Sequence, residues 1–514
     1  MKQNLANILL VVGASVMLAL SIRGVPGNPN AESLNTPKWN KVGPFELSPE
    51  RGRFALTYSL IEDKSFNFSL DLARFVTPDL GYHNGKYVSL FAPAISYLII
   101  PGYLVGKIFN NSQVGAFAVI TIFALLNAVI IFRISKKFNS STIASSISAG
   151  LFLFATPAYA YGVNLYQHHV STFLVLLSFY MAAFHKNLIS LAIVWFLCAM
   201  AIPVDYPNLF FMIPIGLFAI GQIIEVQAGF KNYINIDLKK LLSFLGVITP
   251  IAFFLWFNNA SYGNPYQFSG TVKRVQNIAE NGLPVEDMIN KEEILESAEN
   301  KEQKSAVGFF EPRSLPSGLY TLILSPDRGV IAFSPVLLIG LLGLTILYKK
   351  QKKEVIVLIG VITMNVLLYG MWGDPWGGWA FGSRYLIPSY AILAIFIASA
   401  LTKFKSNMVI LFIILLLGGY SIYVNTAGAL STSANPPQIQ VLELEKVSNR
   451  RERFSWDRNI EYLQRSTSKS FVYQVWVKKY VSAWIYFQII SSILISTYAL
   501  SMILLYLNKK EIES

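Results

Sequence analysis

The segment Trp372–Tyr385, WGDPWGGWAFGSRY, joins two uncharged apolar runs, Val355–Met371 (VIVLIGVITMNVLLYGM) and Tyr385–Ala400 (YLIPSYAILAIFIASA). Runs of that length and composition enter a bilayer, so the residues between them lie at a membrane surface. Trp372, Trp376 and Trp379 suit an interface, where an apolar ring carries a polar N–H. The glycines let backbone approach a ligand closely. Arg384, followed by Tyr385 at the start of the next run, can grip an anionic group with two parallel bonds. The loop reads as a lipid-phosphate site or as an interfacial anchor with a snorkelling Arg.

The whole chain follows the same pattern. Its 514 residues are 54% hydrophobic and 14% charged, with a mean hydropathy of +0.47. Crossing helices are expected near 5–22, 114–132, 141–163, 169–184, 188–204, 208–225, 241–257, 330–348, 355–371, 385–402, 407–425 and 481–507. The predicted fold class is an all-α polytopic membrane protein of about twelve crossings. No small-residue cleavage site follows Leu5–Ile22, so this run reads as a retained first helix at 1–22. Leu90–Gly106 is apolar but contains Pro93, Pro101 and Gly102, which predicts a juxtamembrane or re-entrant helix.

The net charge of +13 follows topology. Arg133, Lys136, Lys137, Lys186, Lys231, Lys239, Lys240, Lys349, Lys350, Lys352, Lys353, Lys403 and Lys405 fall on one set of short connections, with Lys2, Lys509 and Lys510 on the same side. Positive-inside bias puts both termini in the cytoplasm, in a prokaryotic inner membrane. No basic-aromatic stripe for nucleic acid is present. The lone Cys198 allows no intramolecular disulfide.

Three long segments are left for the outer face, 23–113, 258–329 and 426–480, separated by helical blocks at 114–257 and 330–425 and followed by 481–514. The cytoplasmic turns are too short for a nucleotide-binding domain, and no phosphate-binding glycine motif occurs, which argues against ATP-driven transport. Ser48-Pro49-Glu50 opens a helix, with Glu50 complementing its positive end or serving as a general base. Asp79 and Lys86 flank the Asn84-Gly85 turn, Asp79 as a second acid, a metal ligand or a turn residue. His168, His169 and the Asp205-Tyr206-Pro207 stretch mark outer helix ends, where ionisable groups usually face a cavity. Adjacent His residues on a helix diverge by about 100°, which argues against both holding one divalent metal. The stretch 280–304 is highly charged and reads as a solvated helix or loop, and Arg328 is a second phosphate candidate.

These elements together resemble the GT-C superfamily of membrane glycosyltransferases, in its protein-mannosyltransferase-like and aminoarabinose-transferase-like branch. The resemblance rests on Glu50-Arg51-Gly52-Arg53-Phe54-Ala55, Gly85-Lys86-Tyr87 through Ala92-Pro93, Asn259–Pro265, Ser325–Pro335 and Trp376–Tyr385, in that order. It implies a polyprenyl-phosphate-linked sugar donor, a lipid, glycan or protein acceptor, and transfer at the outer face. Glu50 stands where that family carries its catalytic Asp, and Arg384 where a donor-phosphate contact is expected. Leu90 stands where the family often has Lys, with Lys86 as the nearest replacement. The catalytic candidates are thus Glu50 and Asp79. The substrate-binding candidates are Arg53, Lys86, His168, Asp205, Tyr206, Arg328, Trp376, Trp379, Arg384 and Tyr385. A divalent metal remains an open cofactor. The competing readings are a secondary transporter or lipid flippase, and an outer-face glycan polymerase or ligase.

Overall fold

The structure is a computed structural model that describes residues 2–40, 43–227, 233–285, 310–449 and 451–508. Lys231, Lys509, Lys510 and most of 280–304 lie outside the described residues. Among those described, six helices are long and apolar enough to cross a membrane: Ser112–Lys137, Leu238–Tyr262, Lys352–Gly370, Arg384–Phe404, Met408–Leu430 and Ala483–Leu507. Six shorter apolar helices, Leu10–Ser21, Thr142–Phe154, His168–Phe184, Leu188–Val204, Asn208–Ile220 and Pro335–Tyr348, occupy the other expected places. The chain is a multi-pass helical membrane protein.

Proline and its neighbours set the departures from simple spans. The run expected at 141–163 is interrupted after Phe154, and a short helix, Ala158–Gly162, follows Pro157. Proline has no N–H for the ladder and disfavours helix in the residue before it. The Thr156 hydroxyl accepts the Ala158 amide at 3.2 Å across this break. The stretch Leu90–Gly106 forms two short helices, Ala94–Leu98 and Ile100–Ile108, with Pro101 in the first turn of the second.

Helix Arg384–Phe404 is the axis of the bundle, with 83% of its apolar window buried, against 28% for the peripheral Leu238–Tyr262. It packs on helices Thr142–Phe154, Ser112–Lys137, His168–Phe184 and Ile339–Tyr348. The last contact depends on Gly343, where a Cβ would come within 1.7 Å of the Phe396 carbonyl oxygen. Small residues allow this backbone approach between membrane helices.

Two small sheets add to the helices. Strands β1 (Leu80–His83) and β2 (Lys86–Ser89) form an antiparallel hairpin. Asn84 and Gly85 both have positive φ, 48° and 77°, as the tight turn requires. A second hairpin pairs β3 (Ile224–Gln227) with β4 (Tyr233–Ile236). Strand β5 (Lys273–Val275) pairs with β1, which joins the first long segment to the second.

The bundle has two unlike ends. At one, the three long segments meet: Arg23 binds Glu46 at 2.8 Å, Lys469 binds Glu46 at 3.0 Å, and Arg328 donates to the Asn435 carbonyl at 2.8 Å. At the other lie the short basic turns, tied by bonds such as the Ser141 amide to the Thr402 hydroxyl, 2.9 Å.

Candidate active site

The glycine-rich loop folds back on the helix that follows it. Gly377 and Gly378 have φ of 70° and 63°, and the Asp374 carboxylate accepts the Gly378 amide at 2.6 Å. The Gly377 carbonyl accepts an Arg384 Nη2–H at 2.7 Å. A Cβ at Gly377 would lie 3.0 Å from the Tyr385 ring and 3.2 Å from Arg384 Nε, so a larger residue would push the guanidinium away.

Beneath the loop, the fully buried Arg328 donates to the carbonyls of Trp376 (3.1 Å), Gly378 (3.1 Å), Asn435 (2.8 Å) and Asp327 (2.7 Å). Arg328, a phosphate candidate from the sequence, is not among the residues that line the cavity described next. Its donors are spent on backbone oxygens that orphan loops must satisfy somewhere, and it shapes the loop from below. Trp379 likewise faces outward, donating to Gln440 at 2.9 Å with the Arg458 guanidinium 5.9 Å from its ring. Trp376 contributes a carbonyl to Arg328 and does not line the cavity described next.

That cavity, of about 170 Å³, opens where the long segments meet the helices. Its polar wall consists of Arg53, Tyr166, Gln167, Asp205, Arg384 and Tyr385. The guanidinium of Arg384 lies 5.1 Å from the centre of the Tyr166 ring and 5.3 Å from that of Tyr385. The guanidinium of Arg53 lies 6.0 Å from the same Tyr166 ring and 5.1 Å from Phe91. Tyr385 stacks flat on Tyr369 at 4.1 Å. Burial pulls Arg53 down to about 10 against the opposing Asp205 charge, so it stays a cation at neutral pH.

Local sequence explains how these groups arrive. Arg53 projects from helix Ser48–Tyr58, started by Pro49 in its first turn. Gln167 is the residue before helix His168–Phe184. Asp205 has extended backbone at the end of helix Leu188–Val204, and Pro207 prevents that helix from running on. Arg53 donates to Gln167 Oε1 at 2.7 Å, and Gln167 Nε2 donates to Asp205 Oδ2 at 3.0 Å. Burial raises the Asp205 carboxyl above the usual carboxylate value, opposed by the Gln167 bond and the charges of Arg53 and Arg384. Asp205 is the one carboxylate lining the cavity among the described residues.

His168 stacks on Tyr166 at 5.8 Å and 11°, and stands edge-on to Tyr385 at 6.2 Å. Four buried polar atoms around the cavity have no hydrogen-bond partner among the described residues: Arg53 Nε, Arg384 Nε, the Tyr166 hydroxyl and His168 Nε2. His169 points elsewhere, with Nε2 2.7 Å from the Ala158 carbonyl and Nδ1 3.3 Å from Asn127. The described residues contain no group of three or more His, Cys, Asp or Glu side chains placed to hold a metal ion.

The remaining expected residues stand outside the cavity. Glu50 is fully buried, and its Oε2 accepts the amides of Glu46 (3.0 Å) and Leu47 (3.1 Å), capping its own helix. Burial pushes its carboxyl up to about 7, aided by the Glu46 charge and opposed by Arg23 and the two amides. It stands behind the cavity wall rather than in it. Asp79 binds the Ser48 hydroxyl and pairs with Arg274 at 2.7 Å, clipping two long segments together. Lys86 is exposed at the hairpin tip. The Tyr206 hydroxyl meets the Ser269 hydroxyl at 2.7 Å, and neither Lys86 nor Tyr206 lines the cavity. Asp79 and Tyr206 therefore tie loops together, and Lys86 stands clear of both them and the cavity.

Two features had no sequence-level assignment. Tyr166 forms the middle of the polar wall beside Gln167, which the sequence marks only as part of the polar Gln167-His168-His169 stretch at an outer helix end, with no role of its own. A buried ion cluster joins Arg23, Glu46 and Lys469, with the Thr432 hydroxyl at 2.6 Å and the Ser433 amide at 2.8 Å from Glu46. Burial would raise the Glu46 carboxyl, but Lys469, Arg23 and these two donors hold it down at about 2.

No family model matches this chain, and no curated protein does. Among solved structures, ArnT from Cupriavidus metallidurans in the apo state is similar at a TM-score of 0.45 and 11% identity, over 97% of this chain and 75% of that one. ArnT from the same organism bound to undecaprenyl phosphate gives a TM-score of 0.43 and 11% identity over the same shares. A likeness at this level is one of general outline.

Proposed function

We propose that this protein is a GT-C-type membrane glycosyltransferase, which moves a sugar from a polyprenyl-phosphate donor to a lipid, glycan or protein acceptor. The observation that carries the reading is the cavity wall, where two guanidiniums flank Tyr166 opposite the single carboxylate Asp205. The ordered motifs from Glu50 to Tyr385 support the same class. The positive-inside bias supports a site on the outer face of a prokaryotic inner membrane.

The chemistry follows from the groups present. In transfer, the bond from the sugar's anomeric carbon to the phosphate oxygen breaks and a bond to the acceptor oxygen or nitrogen forms. Asp205 takes the acceptor's proton. Arg53 and Arg384 meet the charge that develops on the departing polyprenyl phosphate. A volume of about 170 Å³ is comparable to an engineered 150 Å³ cavity that holds benzene. It therefore admits one phosphate-sized group, with the polyprenyl chain left in the bilayer. Glu50, one layer behind, keeps the helix carrying Arg53 in place.

The test is transfer of radiolabelled sugar from a polyprenyl-phosphate-sugar pool in membranes containing wild type, Asp205→Asn, Arg384→Ala or Glu50→Gln. Loss in the first two variants with retention in Glu50→Gln supports the reading. Loss in Glu50→Gln with retention in Asp205→Asn moves the base to Glu50. Full activity in both Asp205→Asn and Arg384→Ala removes this cavity from the reaction.

A further inference from the structure

At the opposite end of the bundle, a second cavity of about 350 Å³ is lined by Arg133, Lys136, Lys137 and Tyr180. That volume lies within the range of clefts that hold small molecules, roughly 300–1,000 Å³. Three cations converge on it from a single turn of helix Ser112–Lys137, at i, i+3 and i+4, where like charges repel. No ion pair joins any of the three to a carboxylate among the described residues. Lys136 Nζ reaches only the Ser140 carbonyl, at 2.9 Å, and Lys137 Nζ lies 5.8 Å from the Phe184 ring. Beside Tyr180, with ring centres 5.3 Å apart, His185 keeps a buried Nδ1 that has no partner among the described residues.

The direction in which the cavity faces identifies its ligand. Ile122 and Leu126 are exposed at 53% and 38%, and Arg133 and Lys137 are exposed on the same helix. At 100° per residue these four fall within about 60° of one another, so one stripe runs from apolar to cationic. The apolar part begins about 16 Å along the axis from Arg133, at 1.5 Å per residue. An apolar stripe exposed on a membrane helix faces lipid tails, and a cationic end to that stripe faces their headgroups. A soluble anion would gain nothing from the stripe, whereas a lipid phosphate uses both parts.

We propose that this cavity is a binding site for the phosphate headgroup of an anionic phospholipid, whose acyl chain lies along Ile122 and Leu126. It is separate from the candidate active site and does not depend on the glycosyltransferase reading. Basic pockets between membrane helices bind anionic headgroups in this way, and each surface cation contributes about fivefold in affinity.

The full-length protein, reconstituted in nanodiscs of mixed dioleoyl phosphatidylglycerol and dioleoyl phosphatidylcholine, is released and its retained lipid counted by native mass spectrometry. Three proteins are compared: wild type, Arg133→Gln/Lys137→Gln, and Lys349→Gln/Lys350→Gln, which removes equal charge from another basic turn. Circular dichroism confirms helix content, and Arg133→Lys/Lys137→Arg keeps the charges in place. Phosphatidylglycerol enrichment in wild type is expected to fall about tenfold or more in the first double variant, as two cations at that increment require. The Lys349/Lys350 variant and the charge-keeping variant are expected to match wild type. Equal loss in both Gln variants would reduce the effect to general surface charge and overturn the proposal. Displacement of the lipid by added inorganic phosphate would make the ligand a free anion, and absence of enrichment in wild type would exclude the site.

Discussion

Gln167 stands between Arg53 and Asp205, accepting from the Arg53 guanidinium at 2.7 Å and donating to the Asp205 carboxylate at 3.0 Å. The amide satisfies both ions without letting them neutralise each other. Arg53 keeps charge to offer an anionic ligand, and Asp205 keeps Oδ1 clear of donors among the described residues.

Gln167→Ala should let the two ions collapse together. In transfer assays the rate is expected to fall about 10²-fold, as misplacement of reacting groups by an ångström does. Gln167→Glu should fail as well, because it adds a carboxylate that pairs with Arg53. A rate within twofold of wild type for Gln167→Ala would deny the spacer role.

Arg384 is predicted not to tolerate lysine. A single ammonium cannot both meet the Gly377 carbonyl and lie between the Tyr166 and Tyr385 rings. Under the proposed function, binding of a polyprenyl phosphate, followed as a thermal shift, should weaken by about 1.5–3 kcal/mol in Arg384→Ala, the worth of a hydrogen bond to a charged group. Arg384→Lys should recover less than half of that loss.

Glu46 holds the first and third long segments together through Arg23, Lys469 and Thr432. Glu46→Gln leaves the buried Arg23 without its counter-charge, which should cost about 3–5 kcal/mol. The expected result is a lower unfolding midpoint in detergent. Because the folded carboxyl is held at about 2 against an ordinary 4.5, its stabilisation is present above pH 4.5 and is lost as pH falls through about 2.

Glu50 has the opposite dependence. Its folded carboxyl is raised from 4.5 to about 7, so its contribution is full below pH 4.5 and is lost as pH rises through about 7. Glu50→Gln should therefore gain stability relative to wild type across that window, by on the order of 3 kcal/mol at 1.36 kcal/mol per unit. A difference that stays flat between pH 4.5 and 7 would show that Glu50 is already ionised in the folded protein.

The twelve helical places were legible because the signal is local. A run of uncharged residues is apolar whatever it packs against, and prolines such as Pro93, Pro101 and Pro157 interrupt helices through their own missing N–H. Asn84-Gly85 announced its hairpin for the same reason, since positive φ is a property of the residues themselves. The site was legible only in part. Arg53, His168, Asp205, Arg384 and Tyr385 were named as candidates and do gather at the cavity or against its wall. Glu50, Asp79 and Arg328 looked equally suited and stand outside the cavity, each meeting partners the sequence does not indicate: amides at its own helix start for Glu50 Oε2, whose Oε1 has no partner among the described residues, Arg274 for Asp79, and four carbonyls for Arg328. A charged side chain shows that a partner is needed. Only the packing of distant segments decides whether that partner is the protein itself or leaves the charge facing a cavity, because burial and hydrogen-bond supply are properties of the assembled chain.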